Sequence, residues 1–199
     1  MTLKNAQWVL ASGSPRRREL LKLLGSRFEA IPSQVNEVAK AGESPQDLVR
    51  RLAREKAEAI HRIRPEAIII SADTVVVCEK EILGKPGSLV EARSMLNKLN
   101  GRTHQVITGV CVLKGSIPDV RVSSTDVTFS SLSEEEIDAY VQTGEPLDKA
   151  GAYAIQGLGA RFVEGIRGDY FNIVGLPVRL VYRLVSETRN LGRDRYGVD

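Results

Sequence analysis

The chain has 199 residues, of which 42% are hydrophobic and 27% charged, and its formal net charge is +3. That length suits one substantial domain, or two small lobes sharing a cleft, with the composition of an ordinary globular protein. So small a charge permits a local anion site but does not predict a nucleic-acid binder, which usually shows clustered excess charge, so no stable nucleic-acid partner is expected.

The first residues, Met1 to Pro15, lack the apolar stretch of a secretory signal, and no segment approaches the roughly 20 apolar residues needed to span a bilayer. A cytoplasmic protein without membrane contact is expected. Trp8 to Ala11 reads as a short strand. Ser14-Pro15 then opens a helix, with serine as N-cap and proline at the first helical position, and the helix stops near Gly25. Phe28 to Ile31 is a second strand, and a polar stretch runs from Pro32 to Gly42. Ser44-Pro45 repeats the cap signal and opens a long helix to about Arg62. Two apolar runs, Ile68 to Ile70 and Val75 to Val77, flank Ser71-Ala72-Asp73-Thr74. A turn at Glu79-Lys80, a short strand to Leu83 and a helix from about Leu89 to Leu99 follow.

Thr103 to Leu113 and Val120 to Phe129 read as paired long strands joined through Gly115 and Pro118. Ser133 and Glu136 form a capping-box pattern for a helix to about Thr143. The glycine-rich stretch Gly144 to Gly168 is expected to hold one or two short strands. Pro177 to Arg189 reads as a closing helix, with a frayed tail after about residue 190. Strands and helices interleave, so the fold class is α/β with a mixed sheet, here taken as one domain over residues 1–199. Cys78 and Cys111 sit in apolar runs and read as buried free thiols. With only His61 and His104 present, a histidine zinc site is not expected.

Four places contradict the element they occupy, and function often shows in such conflicts. Arg16, Arg17 and Arg18 stand in a helix first turn, where positive charge opposes the helix dipole by about 0.3–1 kcal/mol each when exposed. With Ser12, Ser14 and the free backbone N–H groups they make an anion cradle, the alternative being three solvated arginines. Lys56 interrupts the apolar row of Leu48, Leu52 and Ile60, so it either snorkels or faces a negative partner. Asp73 is placed at the end of a buried strand, projecting where ligands gather in α/β sheets. There it needs a cation, a hydrogen-bond network or a raised pKa, a structural salt bridge being the plainer account. The segment Gly144 to Gly157 offers close backbone approach and the polar groups Asp148, Lys149 and Gln156, and Lys85 is a similar isolated cation. Neither a Walker loop nor GxGxxG occurs, which excludes P-loop and Rossmann chemistry.

The motifs LASGSPRRRELL (Leu10 to Leu21), LAREKA (Leu52 to Ala57), SADTVV (Ser71 to Val76), LGKP (Leu83 to Pro86), GRTHQVITGV (Gly101 to Val110), GEPLDKAGAYAIQG (Gly144 to Gly157) and VGLP (Val174 to Pro177) together resemble the Maf family of nucleotide pyrophosphatases. The resemblance implies an elongated α/β fold related to the inosine-triphosphate pyrophosphatases, with a cleft between two lobes. It further implies hydrolysis at the α–β phosphate linkage with a divalent cation, magnesium being expected and manganese or cobalt able to replace it. Carried over by motif, Asp73 matches the proton acceptor. Ser12, Arg16, Arg17, Lys56, Lys85 and Gln156 match substrate-binding positions, and Glu37 joins Asp73 as an acidic residue suited to the metal. Arg16, Thr74 and Gln156 resemble the branch acting on dTTP and UTP, whereas the 7-methyl-GTP branch has tryptophan, glutamine and glutamate there. The resemblance also implies a homodimer. A non-catalytic regulator of septum formation is the alternative from another class.

Overall fold

The two apolar runs on either side of Asp73 belong to one unbroken strand. The computed structural model describes residues 7–194. In chain order its elements are β1 (Trp8–Leu10), α1 (Pro15–Lys22), β2 (Phe28–Ala30), α2 (Pro45–His61), β3 (Ile68–Cys78) and β4 (Glu81–Leu83). They continue with α3 (Leu89–Leu99), β5 (Thr103–Lys114), β6 (Ile117–Phe129), α4 (Glu134–Gln142), β7 (Val163–Arg167), α5 (Tyr170–Val174) and α6 (Val178–Asp194). Among the described residues the strands form one seven-stranded mixed sheet in the order β2-β1-β3-β5-β6-β7, with β4 added beside β3.

Two expectations are corrected by this arrangement, the place of Asp73 at a strand end and the place of Pro118 in a connector. Asp73 lies mid-strand rather than at a strand end, because the extended chain stays paired with β5 through Ser71, Asp73 and Thr74 to Val77. Pro118 is not a connector but pairs with Leu113 inside β6. There the outer edge of β6 is open, since β7 pairs only with Asp126 to Phe129, so a missing N–H costs no ladder bond. The stretch from Gly144 to Gly168 contains three short 3-10 turns and a single strand, β7. The helix α5 was not anticipated, being too short to show a helical period. The closing helix runs on to Asp194, and the tail expected to fray lies outside the described residues from 195 onward.

The helix starts form as their caps dictate. Ser14, Ser44, Ser88 and Ser133 each accept a backbone N–H of the following turn, and Ser133 with Glu136 completes the capping box. On one face of the sheet two cores lie at opposite ends of β3 and β5. One gathers Val76, Leu96, Val106, Phe129, Tyr140 and Phe162; the other gathers Trp8, Leu21, Ile70, Val112, Leu176 and Leu184. The opposite face is covered by α2 through Val49, Leu52, Ala53, Ala57 and Ile60. Cys78 and Cys111 are both buried and free, and burial pushes the Cys111 thiol up to about 12, which makes it inert. None of the described helices is long and apolar enough to cross a membrane.

Candidate active site

The site exists because one edge of β3 is only partly covered. β1 pairs with β3 through Ile68 to Ile70, and β4 pairs with it through Val76 to Cys78, on the edge away from β5. Between them, residues 71–75 have no neighbouring strand among the described residues. A cleft of about 400 Å³ opens there, a size suited to a small-molecule ligand. Because side chains alternate along a strand, Asp73 faces α2 while Thr74 faces the two-core side, and both reach the same cleft.

The α2 face holds the charges. Gly109 is the cross-strand partner of Asp73, and a Cβ there would stand 2.3 Å from the Val49 carbonyl oxygen. A glycine is therefore required for α2 to lie this close to the sheet. Two turns further along α2, Lys56 reaches the Asp73 carboxylate at 2.5 Å. Lys56 is 6% exposed and Asp73 7%, so the apolar stripe is interrupted by a buried ion pair rather than by a snorkelling lysine. Glu37, carried on the loop between β2 and α2, meets the same ammonium at 2.5 Å. Burial opposes the charge on Glu37, but Lys56, Lys85 and Arg17 outweigh it and hold the carboxyl below its ordinary value. That loop is tied to α2 by Arg51, which donates to Glu43 and, at 3.1 Å, to the Val38 carbonyl next to Glu37.

The first turn of α1 supplies the opposing wall. Arg17 donates from Nε to the Gly175 carbonyl at 2.8 Å and from Nη2 to the Thr74 hydroxyl at 3.0 Å. Desolvation lowers its pKa, while Asp73 and Glu37 act to raise it. An arginine remains charged under such conditions. Arg16 pairs with Asp148 at 3.1 Å, and Lys149 pairs with the same carboxylate, so Asp148 joins α1 to the turn after α4. Burial raises the Asp148 carboxyl, but its two cations hold it below its ordinary value. Arg18 is exposed and is not on the wall.

Arg16, Arg17, Glu37, Lys56, Asp73, Thr74, Lys85, Asp148, Lys149 and Gln156 therefore all border one cleft. Ser12 does not. It is buried, and its hydroxyl accepts the Ser14 amide at 3.1 Å, shaping the turn that presents the arginines, while Ser14 itself lines the cleft. Five cations and three carboxylates give the wall a net positive charge, suited to a polyanion. Beside them lies an apolar slot formed by Val76, Val106, Tyr153, Ala154, Ile155 and Ile173, with the exposed Gln156 amide at its rim. A charged end adjoining an apolar slot matches the two chemistries of a nucleotide, phosphates and a planar base.

The family model for Maf-like proteins matches residues 7–188. The chain belongs to the Maf-like family. It is 50% identical over 186 residues to a dTTP/UTP pyrophosphatase of Bacillus anthracis (strain CDC 684 / NRRL 3495), covering 94% of this chain and 96% of that one. It is 48% identical over 177 residues to a dTTP/UTP pyrophosphatase of Koribacter versatilis (strain Ellin345), covering 89% and 92%. Among solved structures, the Staphylococcus aureus Ham1 protein superimposes with a TM-score of 0.53 at 15% identity, covering 92% of this chain and 99% of that chain. That likeness is one of fold.

In this Maf-like chain the residues that reading the sequence overlooked are neutral. Thr108 and Asn172 are wholly buried, and Tyr153 stands on the wall of the slot, its hydroxyl 2.9 Å from His104 Nε2. Thr108, a hydroxyl in the buried run Val106-Ile107-Thr108-Gly109-Val110, is the one the sequence signalled, though more faintly than Asp73, because threonine itself suits a strand.

Proposed function

We propose that this Maf-like chain hydrolyses dTTP and UTP at the α–β phosphate linkage, giving the nucleoside monophosphate and pyrophosphate. The observation that carries the reading is the convergence of the buried Asp73 carboxylate with five cationic side chains on the uncovered edge of β3. The names of the Bacillus and Koribacter relatives support the choice of pyrimidine nucleotides.

In this reading the triphosphate lies against Arg16, Arg17, Lys85 and Lys149, and the base enters the slot beside Tyr153 and Ile155. Arg17 is oriented before the ligand arrives, and preorganised donors of this kind stabilise the charge that builds on a departing pyrophosphate. Asp73 accepts the proton of the water that attacks the α-phosphorus. Lys56, seated between Asp73 and Glu37, orients the two carboxylates. Both carboxylates meet on the Lys56 ammonium, and among the described residues no group of three or more His, Cys, Asp or Glu side chains gathers. A divalent cation such as magnesium would be held by these two hard oxygen donors only together with the phosphate oxygens of the substrate. When bound, that cation supplies neutralisation of phosphate charge. Gln156 both donates and accepts, as the imide edge of uracil or thymine requires.

Pyrophosphate release from purified protein with magnesium and, separately, dTTP, UTP, CTP, GTP and 7-methyl-GTP tests the proposal. Turnover of dTTP and UTP is expected to exceed that of the others by about tenfold or more, the lower end of what pocket contacts discriminate. A preference for 7-methyl-GTP would move the chain to the other branch, and release from none would end the enzymatic reading.

A further inference from the structure

The hydroxyls of Thr74 and Thr108 form a line of hydrogen bonds whose direction is fixed by donor and acceptor count. Arg17 Nη2 lies 3.0 Å from Thr74 Oγ1, Thr74 Oγ1 lies 2.9 Å from Thr108 Oγ1, and Thr108 Oγ1 lies 3.1 Å from the Asn172 carbonyl oxygen. A guanidinium only donates and a carbonyl only accepts, while a hydroxyl has a single hydrogen to give. Thr108 must spend its hydrogen on Asn172, so it accepts from Thr74, and Thr74 accepts from Arg17. All three links therefore run one way, from the cation to the carbonyl.

The far end of the line is pinned. The Asn172 amide donates to the Val106 carbonyl at 2.9 Å and to the Thr125 hydroxyl at 3.0 Å, tying α5 to β5 and β6. The same short helix ends at Gly175, where a φ of 116° favours glycine and turns its carbonyl toward Arg17 Nε. The two protein-held donors of Arg17 thus both lead back to α5, one directly and one through two threonines. Among the described residues Arg17 Nη1 has no hydrogen-bond partner, and Arg17 lines the cleft, so that nitrogen is left for a ligand.

We propose that Thr108, acting through Thr74, is a positioning residue that aims the Arg17 guanidinium at the phosphates of the substrate. The proposal rests on the pyrophosphatase reading for the identity of that substrate. Thr74 has no hydrogen left to donate to a base, and one of its two lone pairs is taken by Arg17. Thr108 is wholly buried and does not line the cleft.

The test uses α,β-imido-dTTP, which binds without turning over, and measures its Kd by calorimetry for the wild type, Thr108→Val, Thr108→Ser, Arg17→Met and the double variant Arg17→Met/Thr108→Val. Thr108→Val leaves Thr74 without an acceptor and is expected to weaken binding about tenfold or more, the scale of one charge-assisted hydrogen bond. Thr108→Ser keeps the hydroxyl and should restore Kd to within about twofold. In the Arg17→Met background Thr108→Val should add less than about twofold, because its target is gone. Wild-type Kd in Thr108→Val would overturn the proposal. So would an equal loss in both backgrounds, or a failure of Thr108→Ser to restore binding in a variant with native circular dichroism. Absence of binding by the wild-type protein would instead overturn the substrate reading on which the proposal rests.

Discussion

Asp73 and Thr74 are consecutive residues of one strand, yet the two faces they serve keep polar groups buried by different means. On the α2 face Asp73 is charged and is balanced by Lys56, which also holds Glu37. On the other face Thr74 is neutral and is satisfied by a directed line of hydrogen bonds through Thr108 to a carbonyl of α5. A buried ion pair can be opened by any competing ion or anion, whereas a line of hydroxyls with every hydrogen committed is rigid. The comparison suggests a division of work, with an exchangeable charged face for chemistry and a fixed neutral face for aim.

The largest effect should come from breaking the charged face. Asp73→Asn preserves shape but removes the proton acceptor, and kcat for dTTP is expected to fall by about 10²–10⁴, the range for loss of a general base. Near-normal turnover in that variant would remove Asp73 from the reaction. Next is the geometry that seats this face. In Gly109→Ala the new Cβ meets backbone that has no rotamer to move, so α2 must lift from β5. A stability loss of about 1–3 kcal/mol in urea unfolding is expected, together with weaker nucleotide binding as Lys56 is displaced. Unchanged stability would mean that the contact between Val49 and β5 is loose.

The smallest effect concerns the neutral face and appears only in acid. His104 is packed against Phe129 and Tyr153, and burial lowers its pKa from 6.5 to about 4. The unfolded chain therefore binds a proton at this residue between about pH 6.5 and 4 that the folded chain refuses, and stability falls as pH drops through that window. His104→Gln should lower Tm at pH 7.5 but show a smaller further decline between pH 6.5 and 4.5 than the wild type. Parallel declines would place the acid sensitivity elsewhere, with the depressed carboxyls of Glu37 and Asp148 as the next groups to test.

The legibility of the site followed the same division. Asp73, Lys56 and the α1 arginines stood out because a charge in an apolar pattern is costly and so conspicuous. Thr108 was less conspicuous, because a threonine suits a strand in its own right, and Asn172 lay in a helix too short to announce itself by period. Ser12 could not be placed from the sequence, because serine at a helix start has two uses, anion binding and shaping the turn, that look alike in one dimension; the structure shows the second.

By itself the sequence determined the helix starts, through their serine caps, and the strands, through alternation and β-branched runs. It also determined that Asp73 needed a partner if buried, while leaving Lys56 to snorkel or to face a negative group. The tertiary structure alone decided that they meet mid-strand. β1 and β4 cover different stretches of the same edge of β3 and leave residues 71–75 open, a consequence of pairing register between segments distant in the chain. It alone decided that Arg17 is held rather than free. Such directed hydrogen bonding depends on where α5 and β5 come to rest, and non-local packing sets that position.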